Sequence, residues 1–287
     1  MSSGTASLVG LLSVICCLWV TPLQKSKSVP AQRIDGRADS LLFIEKQALG
    51  SPLGNEIDRT MAIARSFLGA PYVHGCLDCN KYENLVVNLR ELDCWTFVEY
   101  SFALAQTQNG GFDLFKSNLQ QLRYWGGQID GYGSRIHYFT GWLLQAEQYG
   151  MLENISKELG GVPYTKEVGY MSARPSKYPK LKDKKAMQKL KMAEKRINAN
   201  KWYYIPQNRI ANMEHLIQEG DIVCLTSAKA DLDIAHQGFA VKKNGHIYLM
   251  HASSLAKRVI IARQPLAQYV ASQRGQTGIM VARLRTN

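Results

Sequence analysis

The sequence predicts an α+β fold, with helices in its first half and an antiparallel sheet at its end. Three observations predict it. EIDRTMAIARSFLG and ELDCWTFVEYSFALA carry apolar residues at helical spacing. From Gly220 the period changes to that of strands, in DIVCLT, HQGFAVKK, HIYLMHAS, RVIIA and GIMVARL. Two of those runs are separated by Asn244-Gly245, the strongest short hairpin signal, which makes their pairing antiparallel.

The chain opens with ASLVGLLSVICCLWV, an uncharged run of about fifteen residues that suits the core of a signal peptide and is short for a membrane span. Residues 1–30 are therefore expected to be an export leader, which places the protein in the periplasm, with transient membrane contact through the leader. A buried N-terminal helix is the alternative, because no Lys or Arg precedes the run and no small-x-small site follows it before SVPAQ. Cys16 and Cys17 follow isoleucine and cysteine rather than small residues, which gives a lipoprotein anchor little support.

Residues 31–287 are expected to form the domain. Residues 31–60 are polar and helical in part, and the next helix ends at Gly69 before Pro71. Asp93 is an N-cap that puts Cys94 in the first turn of a helix, and Asn109-Gly110-Gly111 stops that helix. Helical signals and aromatic loops then mix, which predicts an insertion over about 110–215. Within it, residues 177–201 place Met187, Leu190, Ala193 (or Glu194) and Ile197 at helical spacing among lysines, the pattern of an amphipathic surface helix.

A chain of 287 residues that is 46% hydrophobic buries a sizeable core, which excludes general disorder. Its net charge of +12 is concentrated in that lysine-rich helix. The face is either merely solvated or attractive to anionic wall polymer; no nucleic-acid motif accompanies it, and export argues against such a partner. Six cysteines, two in the leader, are too few for a disulfide scaffold of this size. Cys76 and Cys79 form a lone CxxC that is open to four readings: redox pair, half a zinc site, local disulfide or ordinary thiols.

The hairpin fixes a register. A two-residue loop pairs Lys243 with His246, Val241 with Tyr248, Gly238 with His251 and His236 with Ser253. His236 and His251 then share one face as diagonal neighbours about 7 Å apart, and His246 points away. The same face carries Ala240, Ile247 and Leu249, so it is expected to pack on the helix that Cys94 begins. A cysteine at a helix N-terminus gains thiolate character, one imidazole can take its proton, and a second can orient the first. A core cysteine with two satisfied strand histidines fits the same pattern.

GAPYV, DCWTFVEY, LDIAHQGFAV and LMHASS, in that order, resemble the motifs of papain-like cell-wall hydrolases of the NlpC type. The resemblance is closest to their N-acetylmuramoyl-L-alanine amidase-like branch, through ENLVVNLRELDCWTFVE, GYGSRIHYFTGW and LDIAHQGFA, and covers roughly residues 55–287. It implies a papain-like core and a peptidoglycan or muropeptide substrate, with no cofactor and no metal. Carried over residue by residue, Cys94 resembles the nucleophile, His236 the base, His251 the orienting third member, Tyr72 the tyrosine beside the oxyanion site and Asp93 the acid next to the nucleophile. Ala235 and Gln237 flank His236 where small hydroxyl and aliphatic residues are more usual. Arg123, Trp125, Arg135 and His137 suit a sugar or carboxylate, or else anchor the insertion. A γ-D-glutamyl endopeptidase and a non-catalytic wall-binding protein are the alternative functions.

Overall fold

The computed structural model describes residue 1, residues 36–50 and residues 52–285. The chain divides into Met1–Gln32 and Arg33–Asn287. The leader, with Cys16 and Cys17, lies outside the described residues, and everything below concerns the second unit.

Three helices come first: α1 (Gly36–Gly50), α2 (Glu56–Ser66) and α3 (Cys94–Ala105). Asp93 starts α3 from an extended backbone. Its Oδ1 accepts the Thr96 N–H at 2.8 Å while Thr96 Oγ1 accepts the Asp93 N–H at 2.9 Å, a closed capping box. Phe97, Val98, Tyr100, Phe102 and Leu104 are all fully buried, so α3 is covered around its circumference and runs through the core. Next come α4 (Phe112–Arg123), α5 (Phe139–Gln148), α6 (Lys184–Asn198) and α7 (Ile210–Met213), and later α8 (Leu266–Ala271). Helix α6 is the basic helix of the sequence, capped by Asp183 and buried along Leu190, Ala193, Glu194 and Ile197.

The strands are β1 (Leu152–Asn154), β2 (Val162–Tyr164), β3 (Trp202–Pro206), β4 (Ile222–Ser227), β5 (Ile234–Lys243), β6 (His246–Ser253), β7 (Arg258–Ile261) and β8 (Gln276–Leu284). They form one antiparallel sheet in the order β2-β3-β8-β4-β5-β6-β7, with β1 also on β8. The α+β class thus holds. The sequence reading has no counterpart for β1, β2 and β3, which lie within 112–215. β1 and β2 are three residues long, too short to show a period, and Pro163 sits on β2 at the sheet edge, where a missing N–H costs no ladder bond.

One expectation is corrected here. Phe239, Val241, Met250 and Ala252 form the face that packs on α3, with Phe97 and Phe239 edge to face at 5.6 Å. Ala240, Ile247 and Leu249 lie on the opposite face with Val223 and Leu225, against Ile210 of α7 and Leu266 and Val270 of α8. The pleat places the histidines with this second set, because Leu225 pairs with His236. The sequence shows which residues share a face, but not which helix covers it.

Candidate active site

Asn244 at φ 51° and Gly245 at φ 79° make the predicted tight turn, since a type I′ turn needs positive φ at both central residues. The ladder runs from Lys243↔His246 through Val241↔Tyr248 to Phe239↔Met250. There its pairs end, short of the expected pairs at Gly238–His251 and His236–Ser253. On the other side of β5 a bulge lies opposite Leu225 and Thr226, whose partners are His236 and Ile234 with Ala235 between them. Bulges of this kind twist a strand and re-aim its side chains.

In this loosened segment His236 Nε2 and His251 Nδ1 lie 2.6 Å apart, with ring centroids 4.7 Å apart and planes nearly perpendicular. Gly238 makes room for the pair: a Cβ there meets the Met250 carbonyl oxygen and, at 2.9 Å, the Cβ of His251. His246 turns away toward Glu214, 3.3 Å off, as its alternation predicts.

The half-buried Cys94 thiol occupies the N-terminus of α3. Burial first and the Asp93 carboxylate second push it up to about 12, against the backbone N–H groups of Gln237, Cys94 and Trp95, which favour the thiolate. Burial lowers His236 to about 4. Burial, then His236, lowers His251 to about 3. These shifts all favour a neutral thiol and neutral imidazoles at neutral pH, against the thiolate that the helix terminus alone suggests.

Two tyrosines approach the thiol. Tyr72, bridged to Leu92 and bonded through its N–H to Lys257 O at 2.9 Å, is raised by burial and then by Cys94 and Asp93. Tyr269 of α8 is raised to about 12 by burial and then by Cys94, and its ring lies 5.3 Å from that of His251. The structure thus gathers Tyr72, Asp93, Cys94, His236 and His251 in one place, and adds Gln237 and Tyr269. The sequence reading missed Tyr269, because nothing in LAQYVA marks it and α8 is only six residues long.

Four expected substrate contacts sit elsewhere in the hydrogen-bond plan. Arg123 is 1% exposed and holds Glu99 through Nε at 2.8 Å and Nη2 at 2.6 Å. Arg135, 4% exposed, donates to Leu77 O at 2.8 Å and pairs with Asp78 and Glu83. His137 Nε2 meets Tyr132 O at 2.8 Å, and burial lowers it to about 3. The Trp125 ring carries the Arg196 guanidinium at 4.7 Å in a groove that Lys189 and Met192 also line. Both arginine forks thus pair with the protein's own carboxylates, Arg123 with buried Glu99 and Arg135 with buried Glu83 and the half-exposed Asp78, which is the arrangement of the anchoring reading.

Cys76, Cys79, Cys94 and Cys224 are free thiols. Cys76 donates to Val73 O at 2.7 Å, and burial, then Asp93, raises its pKa. Among the described residues no three His, Cys, Asp or Glu side chains cluster as metal ligands.

A thiol at a helix N-terminus with a hydrogen-bonded imidazole pair beside it can attack an acyl carbon, with the imidazoles handling its proton. Comparison with known proteins narrows the class. Residues 62–279 match the AmiA-like family, described as N-acetylmuramoyl-L-alanine amidase-like, and the chain belongs to it. It is similar to an N-acetylmuramoyl-L-alanine amidase from Bacteroides uniformis at 32% identity, TM-score 0.76, covering 80% of this chain and 99% of that one. A Bacteroides fragilis protein bearing a provisional xylanase name matches at 33% identity and TM-score 0.72, covering 78% and 99%. A Legionella pneumophila protein at 20% identity, TM-score 0.69, covering 88% and 95%, shares the fold. No curated protein matches the chain.

Proposed function

We propose that this amidase-like protein is a cysteine amidase, with an NlpC-type papain-like core, that hydrolyses the N-acetylmuramoyl-L-alanine bond of peptidoglycan or muropeptides. The observation that carries the reading is the His236–His251 hydrogen bond of 2.6 Å beside the capped α3 terminus that presents Cys94. On this reading His236, bound through Nε2 to His251, uses Nδ1 to take the thiol proton as sulfur attacks the amide carbonyl. The oxyanion is met by the Cys94 backbone N–H and the Tyr72 hydroxyl. His236 then protonates the leaving amine, and water hydrolyses the thioester with His236 as base. A glycosidase needs two carboxyl groups flanking its bond, whereas the groups gathered here are one thiol, two imidazoles, two phenols and one carboxylate already used in a cap.

The substrate end follows from Asp93. Its Oδ1 is bonded to the Thr96 N–H and hydroxyl, which leaves less capacity for the free L-alanine ammonium that an endopeptidase requires. A muramyl-linked peptide incubated with the protein should yield intact sugar and a peptide beginning with L-alanine, read by liquid chromatography with mass detection. Release of L-Ala-D-Glu from the free peptide instead rejects the amidase and promotes the γ-D-glutamyl endopeptidase; binding without cleavage promotes the non-catalytic wall protein. The apolar leader adds export to the periplasm, which cell fractionation tests: full-length protein in the cytoplasm overturns it.

A further inference from the structure

Beside the histidine pair lies a pocket of about 160 Å³, partly open to solvent and lined by Ala235, His236, His251, Ser253, Tyr269 and Gln276, among others. Two buried polar atoms of these residues, His251 Nε2 and Gln276 Oε1, have no hydrogen-bond partner in the protein. Buried polar groups are as a rule satisfied by protein or by water, so the two call for a common explanation. Their roles are complementary. If His236 Nδ1 is to receive the thiol proton, Nε2 carries the hydrogen and donates it to His251 Nδ1 across the 2.6 Å contact. The hydrogen of His251 then resides on Nε2, a buried donor on a residue that lines the pocket. Gln276 Oε1 is an acceptor.

We propose that Gln276 is a positioning residue for the Cys94–His236–His251 chain, acting through a water bound at the inner wall of this pocket that accepts from His251 Nε2 and donates to Gln276 Oε1. The pocket is polar and roomy enough, since one water needs only about 10–15 Å³ of such space. The bridge selects the tautomer. With the hydrogen of His251 moved to Nδ1, His236 accepts at Nε2 and carries its own hydrogen on Nδ1, so it cannot take the thiol proton. Gln276 opens β8 opposite Ser227, at a place where the β4–β8 register shifts, so its side chain is held from a strand end.

The test uses Gln276→Leu, which removes the acceptor, and Gln276→Glu, which keeps the shape and adds charge. The kinetic arm rests on the amidase reading; the spectroscopic arm does not. Nitrogen NMR of the histidine side chains in free protein should show His251 protonated on Nε2 in the wild type and a mixture of tautomers in Gln276→Leu. That variant should lose about tenfold in kcat with KM little changed, the value of one oriented hydrogen bond. The titratable groups facing His251 are His236 from β5 and Tyr269 from α8, with Cys94 of α3 beyond Tyr269; β7 places Ile260 opposite it. A carboxylate at 276 favours the imidazolium, so Gln276→Glu should stay active at neutral pH and move the acid limb of kcat/KM up by about one pH unit. If tautomer and pH profile both ignore position 276 while hydrolysis proceeds, the water bridge is wrong and the amidase stands. If the tautomer responds but no muramyl peptide is cleaved by the wild type, the amidase reading fails and the bridge stands.

Discussion

Acid should destabilise this protein in part through its histidine pair, and the size of the pair's share follows from the two depressed values. An unfolded histidine titrates near 6.5, whereas His251 titrates at about 3 and His236 at about 4 in the fold. Between the unfolded and folded values the unfolded chain binds more protons, so stability present above the unfolded value is lost as the pH falls toward the folded ones. Moving from about pH 7.5 to about pH 5 protonates nearly one site per unfolded histidine, or about 2 kcal/mol for His251 at 1.36 kcal/mol per unit. His236 is partly reached by solvent, so its share is smaller, and the pair should contribute about 3 kcal/mol. Urea unfolding at both pH values measures it, in the wild type and in the double variant His236→Gln/His251→Gln. His137, which burial also lowers to about 3, and Glu56, Glu99 and Asp233, also shifted by burial, titrate alike in both proteins and cancel in the difference. The wild type should lose about 3 kcal/mol more than the double variant; equal losses refute the buried neutral pair.

Cys94→Ala should abolish hydrolysis with an unchanged melting curve, whereas His246→Ala, on the far side of the strand, should leave turnover close to wild type; the reverse pattern indicts the register. Arg123→Ala should destabilise by about 3–5 kcal/mol in urea by stranding the buried Glu99, while Arg123→Met should fold better and keep its KM for a muramyl peptide. A raised KM in Arg123→Met at normal stability restores the substrate role. Thr96→Val breaks one arm of the capping box and should cost about 1 kcal/mol by thermal unfolding.

What could be read in advance is what local chemistry dictates. Asn244-Gly245 has one favourable turn, and from it the pairs down to Phe239↔Met250 follow by counting. Asp93 caps α3, as its place before an apolar run predicts. Residues whose meaning depends on the partner across the fold were not legible. Arg123 and Arg135 look like ligand forks in an aromatic segment until Glu99, Asp78 and Glu83 arrive from elsewhere in the chain to occupy them. Tyr269 and Gln276 join the histidines only because α8 packs its ring on His251 and the start of β8 lines the same pocket.

The face mismatch explains why the hairpin opens where it does. Helix α3 covers the face of Phe239 and Met250, while the pleat turns His236 toward the face of Leu225. A thiol on the helix and an imidazole on the strand would then be separated by the sheet itself, unless the sheet ends between them. Ala240 N–H bonds to Asp221 O on the β4 side of β5, so alternation directs the Gln237 N–H toward β6. There the β5–β6 pairs have already stopped, and this amide favours the Cys94 thiolate instead of serving the ladder. The bulge at Ala235 twists the same segment from the other side. Two breaks in pairing flank His236, one on each side of its strand. Continuing the ladder to Gly238 and His236 would satisfy Gln237 within the sheet and close the gap through which the α3 terminus meets the histidines. The irregular segment is therefore the part of the sheet that makes the cysteine and histidines neighbours, and the regular register below it holds the histidines in place.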